Sequence, residues 1–237
     1  HQNKSVTTVL EKVGKFSGRL RKMQTNFVAG EKTKEVLYRE NGCVFRFNVE
    51  GTYFSPRLSN ERKELSKLIK NGDEVLVMFA GVSPFPIVLG KLSKAKKIYS
   101  NELNCEANKY GQLNIELNKL KGKVVLLPGD IKRIALKLVE KKNQQSSPPT
   151  RPSALRAEIP KKFDMIVMPR PQLKDSFLKE AFMLSKKGTR IYYYDFCLEE
   201  DVEKILEKIK SEAKKAKKKI KISNHQSAGE IGAYKIR

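Results

Sequence analysis

The chain has 237 residues, 39% of them hydrophobic, and carries 49 Lys plus Arg against 26 Asp plus Glu, a net charge of +23. That length holds one large domain, or an ordinary domain beside a small one, with enough apolar residues for a real core. No apolar run approaches the ~18 residues of a membrane helix, and two terminal histidines with three scattered cysteines argue against a Ser-His-Asp triad, a zinc site or a disulfide framework.

The charge excess sets up a positive field that suits a polyanion: RNA, DNA or an anionic membrane surface. A lysine- and glutamate-rich thermophile-like surface would explain the density of charge but not its sign. "HQNKSVTTVL" lacks signal-peptide architecture, and the unpaired cysteines suggest a reducing, cytoplasmic setting.

In chain order, residues 1–56 read as a small β-rich module. "ENGCVFRFNVEGTYFSP" alternates apolar and polar, punctuated by Asn41-Gly42 and Glu50-Gly51. Residues 57–237 then alternate strand and helix. Ser59 is the expected N-cap of a helix whose stripe is Glu61, Leu65 and Leu68, stopped at Asn71-Gly72. Strands follow at "EVLVMF", "KKIYSNE", "KVVLLPGD", "FDMIVMP" and "TRIYYYDFC". Helices are expected at "PFPIVLGKLSKA", at "NCEANKYGQLNIELNKL" with a loose Leu113, Ile115, Leu117 stripe, at "IKRIALKLVEKK", at "LKDSFLKEAFMLSKKG" and at "LEEDVEKILEKIKSEAKKAKKK". Residues 141–160 are Ser/Pro-rich and read as a flexible loop or insertion. "IKIS" and "IGAYKIR" read as two closing strands, one of them antiparallel. The spacing predicts an α/β fold with a doubly wound, mainly parallel sheet and a terminal antiparallel strand.

In such sheets ligands bind where the strands end. The candidates are Phe79, Ala80 and Gly81 after the first strand, Glu102 and Leu103 after the second, Asp130 after the third and "MPRP" after the fourth. Gly81 would let a ligand approach the backbone; a carboxylate at Glu102 could bond both hydroxyls of a ribose, and Asp130 an adenine amino group. Four such positions in register suggest an adenosine-type ligand. Singly, Gly81 reads equally as a turn glycine, and Glu102 and Asp130 as helix caps. Glu61 aims a carboxylate along an apolar stripe, yet a first-turn Glu also simply complements the helix dipole. Arg21 and Arg57 could face a phosphate or base carbonyl, or only solvent.

The segments "FSGRLRKM", "RENGCVFRFNV", "YFSPRLSNER", "MFAGVSPF", "NELNCEA", "VMPRPQL" and "IYYYDF", in that order, resemble the archaeal and eukaryotic tRNA (guanine-37-N1)-methyltransferase family over nearly the whole chain. The resemblance implies a class I methyltransferase (Rossmann-like) domain at 57–237 beside a substrate-positioning domain at 1–56. It implies transfer of the methyl group of S-adenosylmethionine to N1 of the guanine 3′ of the anticodon. Glu61 falls at the general-base position and Arg21 where an arginine contacts the guanine O6. Tyr53 would lie near the cofactor, Glu102 would hold its ribose, and Pro169 to Pro171 would line the transfer pocket. Arg21, Arg57 and Arg170 are the RNA-binding candidates; neither a metal, a membrane nor an obligate protein partner is implied beside the tRNA anticodon loop.

Val77 stands where the family has an acid, Pro169 where it has asparagine, and Ser83 where it has a common glycine. These departures leave open an aminocarboxypropyl transferase of wyosine-type modification, or a catalytically dead RNA-binding homologue. The further N-terminal domain of archaeal members is not seen, and "YKIR" ends within a strand pattern, so a piece of a longer chain is expected.

Overall fold

The computed structural model describes residues 6–140, 159–169, 175–225, 229–231 and 234–236; most of the expected loop at 141–160 lies outside them. Two antiparallel hairpins come first: β1 (Thr8–Ser17) with β2 (Lys22–Gly30), and β3 (Glu35–Glu40) with β4 (Cys43–Asn48). The second turns at Asn41-Gly42, both at positive φ (50° and 71°), the backbone that a two-residue hairpin with native twist requires. Along β4 the period-2 pattern buries Cys43, Phe45 and Phe47, and these join the core formed by Leu65, Val75, Val77 and Ile98.

The rest is the expected alternation. It runs α1 (Ser59–Lys67), β5 (Glu74–Val77), α2 (Pro84–Leu92), β6 (Lys97–Glu102), α3 (Cys105–Leu117), β7 (Val124–Pro128) and α4 (Ile131–Glu140). After the loop come β8 (Phe163–Met168), α5 (Leu178–Met183), β9 (Ser185–Tyr193), β10 (Phe196–Cys197), α6 (Val202–Lys215), β11 (Gly229–Ile231) and β12 (Tyr234–Ile236). The main sheet is parallel, in order β7-β6-β5-β8-β9. The chain winds outward from β5 through β6 to β7, then returns to β8 on the other side of β5. That reversal opens a crevice at the carboxyl ends of β5 and β8. Successive residues of β5 face opposite layers: Val75 and Val77 pack with α1, α2 and the β3–β4 hairpin, Leu76 and Met78 with the layer of α4 and α5. The closing antiparallel strand is β12, which pairs with β10 and β11 in a separate three-stranded sheet that the chain enters past Asp195, just after β9.

Four local expectations are corrected. Ser59 is not the N-cap of α1: the helix grows out of a 3-10 turn at Pro56–Leu58 with Leu58 as its cap residue. Leu68 is not in the stripe but half exposed at the helix end. The helix expected through Gly188 stops at Met183, because Ser185 already pairs with Phe163 and Thr189 Oγ1 donates to the Phe163 carbonyl. "IKIS" forms no strand; the closing hairpin is β11–β12.

Of the expected α3 stripe, Ile115 is buried and Leu113 half-buried, but the packed face is mostly other residues. Leu117 is exposed, and the buried side is Ala107, Gly111, Asn114, Ile115 and Asn118. Asn114 accepts from the Arg46 N–H (2.7 Å) and donates to its carbonyl (3.1 Å). Asn118 does the same for Val44 (2.9 and 2.7 Å). Four helical residues rise about 6 Å and two strand residues about 6.6 Å, so the two amides match alternate residues of β4 and stand in for a neighbouring strand.

Candidate active site

At the crevice lies a shallow pocket that is open to solvent. The β1–β2 turn contributes Leu20 and Arg21, and the segment after the second hairpin contributes Tyr53. The strand ends supply Phe79, Gly81, Glu102 and Pro169, and α3 supplies Asn104 and Ala107.

Glu102 organises the floor. Its Oε2 accepts the Gly81 N–H at 2.8 Å and its Oε1 the Asn104 N–H at 2.7 Å. Each oxygen keeps a lone pair for a hydroxyl donor. Gly81 has φ +57°, and a Cβ there would stand 3.2 Å from the Tyr53 carbonyl oxygen, so the loop needs glycine for its turn and for the close pass. Asn104 caps α3 through the Glu106 N–H (3.0 Å) and donates to the Gly51 carbonyl (2.8 Å), tying the N-terminal hairpins to the strand ends. Polar acceptors on one wall, with Phe79, Ala107 and Leu20 on the others, fit a nucleoside: hydroxyls to the carboxylate and a flat base on the apolar surface.

Arg21 lies over the Tyr53 ring, its Cζ 3.7 Å from the centroid, a cation–π stack that holds the guanidinium flat in the pocket wall. Tyr53 in turn meets the edge of Phe16 at 4.9 Å. On the same turn, Arg19 bonds Asp130 at 2.6 Å. Asp130 does not line the pocket; its other oxygen accepts the Lys132 N–H, and the Arg19 and Lys132 contacts outweigh burial to hold its carboxyl below the usual range. Ala80 is buried beneath the pocket, its N–H on the Asn101 carbonyl (2.8 Å). Leu103 is half-buried outside the lining, and Arg57 is exposed. Arg170 and Pro171 lie outside the described residues.

Glu61 is not in the pocket lining either. It sits in the first turn of α1, and its Oε1 accepts the Tyr194 hydroxyl at 2.6 Å. Tyr194 directly follows β9. Tyr193 is in register with Met168, and Pro169 follows Met168, so Glu61 is drawn to the same edge of the sheet as Pro169. The next residue, Arg62, is 1% exposed and forms a two-point ion pair with Glu40 (2.5 and 2.6 Å) between the rings of Phe54 and Phe85. Val77 is fully buried at the end of β5. Ser83, fully buried at φ +68°, holds the left-handed turn before α2 with a 2.9 Å bond to Ser100. Leu20, Asn104, Ala107 and Tyr194 were not singled out from sequence; of these only Asn104 carried a legible signal, an Asn directly before a helix.

A parallel sheet of this order, with a pocket at its carboxyl ends, is the arrangement of a class I methyltransferase. The family description TRM5/TYW2 methyltransferase domain matches residues 36–144. A Nanoarchaeum equitans protein named tRNA (guanine(37)-N(1))/4-demethylwyosine(37)-methyltransferase Taw22 is 33% identical over 99% of this chain and 88% of its own length. The crystal structure of Trm5b from Pyrococcus abyssi superposes with a TM-score of 0.78 at 32% identity, over 99% of this chain and 63% of that one. TYW2 from M. jannaschii, solved in complex with AdoMet, gives 0.63 at 26% identity, over 81% of this chain and 77% of that one. The chain belongs to the TRM5/TYW2 methyltransferase family. It spans less than two thirds of the crystallised Pyrococcus protein.

Proposed function

We propose that the chain methylates N1 of guanine 37 in tRNA, with S-adenosylmethionine as donor. The observation that carries the reading is one pocket in which Arg21 and Tyr53 of the N-terminal region meet Gly81 and Glu102 of the sheet's carboxyl edge. The names of the relatives support the reaction and its position. In this reading residues 1–56 position the RNA and 57–237 carry the chemistry.

S-adenosylmethionine, when bound, supplies a methyl group activated by its sulfonium. Glu102 would hold the ribose hydroxyls, with Gly81 giving the backbone clearance and Tyr53, Phe79 and Pro169 closing around the cofactor. Ala80, Leu103 and Asp130 shape the loops behind them. Guanine N1 carries a proton at neutral pH, so attack on a methyl group needs a base; Glu61 takes that proton. Negative charge then develops on O6, and Arg21, held flat on Tyr53, stabilises it. The guanine must leave the anticodon-loop stack to enter, and Arg57 and Arg170 would meet the phosphates around it.

Glu61→Gln tests the assignment. It should leave the cofactor Kd unchanged and lower kcat by about two orders of magnitude or more; turnover like the wild type removes Glu61 from the mechanism. A second substrate, 4-demethylwyosine at the same position, is favoured by the name of the Nanoarchaeum relative. Incubation with tRNA carrying that base, followed by nucleoside mass spectrometry, decides it.

A further inference from the structure

We propose that Tyr194 is a positioning residue for methyl transfer: its hydroxyl fixes the Glu61 carboxylate in the orientation and charge state in which it takes the N1 proton. The inference rests on Glu61 being the base. A Glu in a first helical turn needs no buried partner to favour the helix dipole. Glu61 has one nonetheless, a phenol 133 positions away in sequence at 2.6 Å. Tyr194 is 5% exposed and packs against the edge of Phe85, so its ring cannot swing away. A phenol has one hydrogen to donate, and here it goes to Oε1 of Glu61. No described residue donates to Oε2, which leaves that oxygen for a proton.

The chemistry of the partner matters as much as its position. Tyr194 and Tyr192 face this carboxylate, and Arg62 is the next residue along α1. Arg62 turns its Nε and Nη2 to Glu40, and Nη2 also to the Ser55 carbonyl, and makes no hydrogen bond to Glu61 among the described residues. A guanidinium clamped on Glu61 would hold the carboxylate too tightly to accept a proton. A neutral hydroxyl orients it without adding a charge. Burial, and then the Glu61 charge, push the Tyr194 phenol far above its ordinary range, so it stays a donor throughout the working pH range.

The test compares pH profiles of single-turnover methyl transfer. In Tyr194→Phe the ring and its packing remain and only the hydroxyl is lost. We expect the rate to fall about 10- to 100-fold, the size of a lost hydrogen bond to a charged group. The acid limb should move to higher pH, with KM for S-adenosylmethionine unchanged. Phe85→Leu loosens the packing but keeps the hydroxyl, and should retain the wild-type limb. A ring-fluorinated tyrosine at 194, a stronger donor of nearly the same shape, should move the limb to lower pH. This last arm decides the matter even if Tyr194→Phe does not fold. If Glu61→Gln is inactive while the Tyr194→Phe and fluorotyrosine profiles superimpose on wild type, Tyr194 is only structural and the inference falls while the base assignment stands. An equal shift in Phe85→Leu also overturns it, in favour of packing. Wild-type turnover in Glu61→Gln overturns both.

Discussion

A guanidinium with 1% of its surface exposed must find its whole complement of partners inside the protein, and Arg62 does so with Glu40, the Ser55 carbonyl and two aromatic faces. The pair joins the β3–β4 hairpin to α1 directly beside Glu61. Replacing such a pair by apolar residues can be nearly neutral, but removing one partner strands the other charge. Arg62→Ala should therefore cost about 3–5 kcal/mol in denaturant unfolding; a loss well under 1 kcal/mol would show that Glu40 reaches water. This residue was hidden in the sequence. Glu61 drew notice as a charge on an apolar stripe, whereas the truly buried charge is its neighbour: the buried face of α1 is Arg62, Leu65 and Ser66. Tyr194 was hidden for a different reason: its meaning lies in a contact 133 positions distant. Gly81 and Glu102 were easier to find, since the topology of a parallel sheet dictates which residues leave its carboxyl edge; Arg21 stood out as one of two arginines that could meet a phosphate or base, and Tyr53 only through a family resemblance.

At the scale of elements, α3 and β4 are held by side-chain amides rather than by apolar contact alone. Asn114→Ala with Asn118→Ala would leave the N–H and C=O groups of Val44 and Arg46 without partners, each stranded group costing about 1–3 kcal/mol. Hydrogen exchange at Val44 and Arg46 should accelerate sharply; unchanged protection would mean that the amides are incidental. These asparagines explain why the helix was legible and its buried face was not: a hydrophobic-stripe rule cannot see a face that binds a strand edge through amides. The same rule ran α5 past its end, because "FLKEAFMLSKKG" is helical in pattern until pairing with Phe163 takes Ser185. The first hairpin carries a pH test. Lys34, then Thr25, hold the Glu50 carboxyl well below 4.5, at about 2. A depressed carboxyl stabilises the fold above its unfolded value and loses that contribution as pH falls through the folded one. The Thr25 amide resonance should therefore hold steady down to pH 4.5 and titrate near 2; titration near 4.5 would contradict these bonds.

For the whole molecule the governing quantity is the charge of +23. Among the described residues no helix is long and apolar enough to cross a membrane, and α6 runs into a lysine-rich end at Lys214, Lys215, Lys217 and Lys218. Binding of tRNA should weaken steeply and linearly in log Kd against log salt; a flat response between low and moderate salt would rule out phosphate contacts as its main source. The alternation of strand and helix predicted the parallel sheet because right-handed crossovers allow few other arrangements at that spacing. It placed the last strand within "IGAYKIR", where β12 forms, but took "IKIS" for its hairpin mate, since that segment is just as β-prone. The central claim is the reaction itself. Unmodified tRNA incubated with the protein and S-adenosylmethionine, then digested and analysed by nucleoside mass spectrometry, should yield 1-methylguanosine from position 37; an aminocarboxypropyl adduct, methylation at another site, or unmodified guanosine at that position would contradict it.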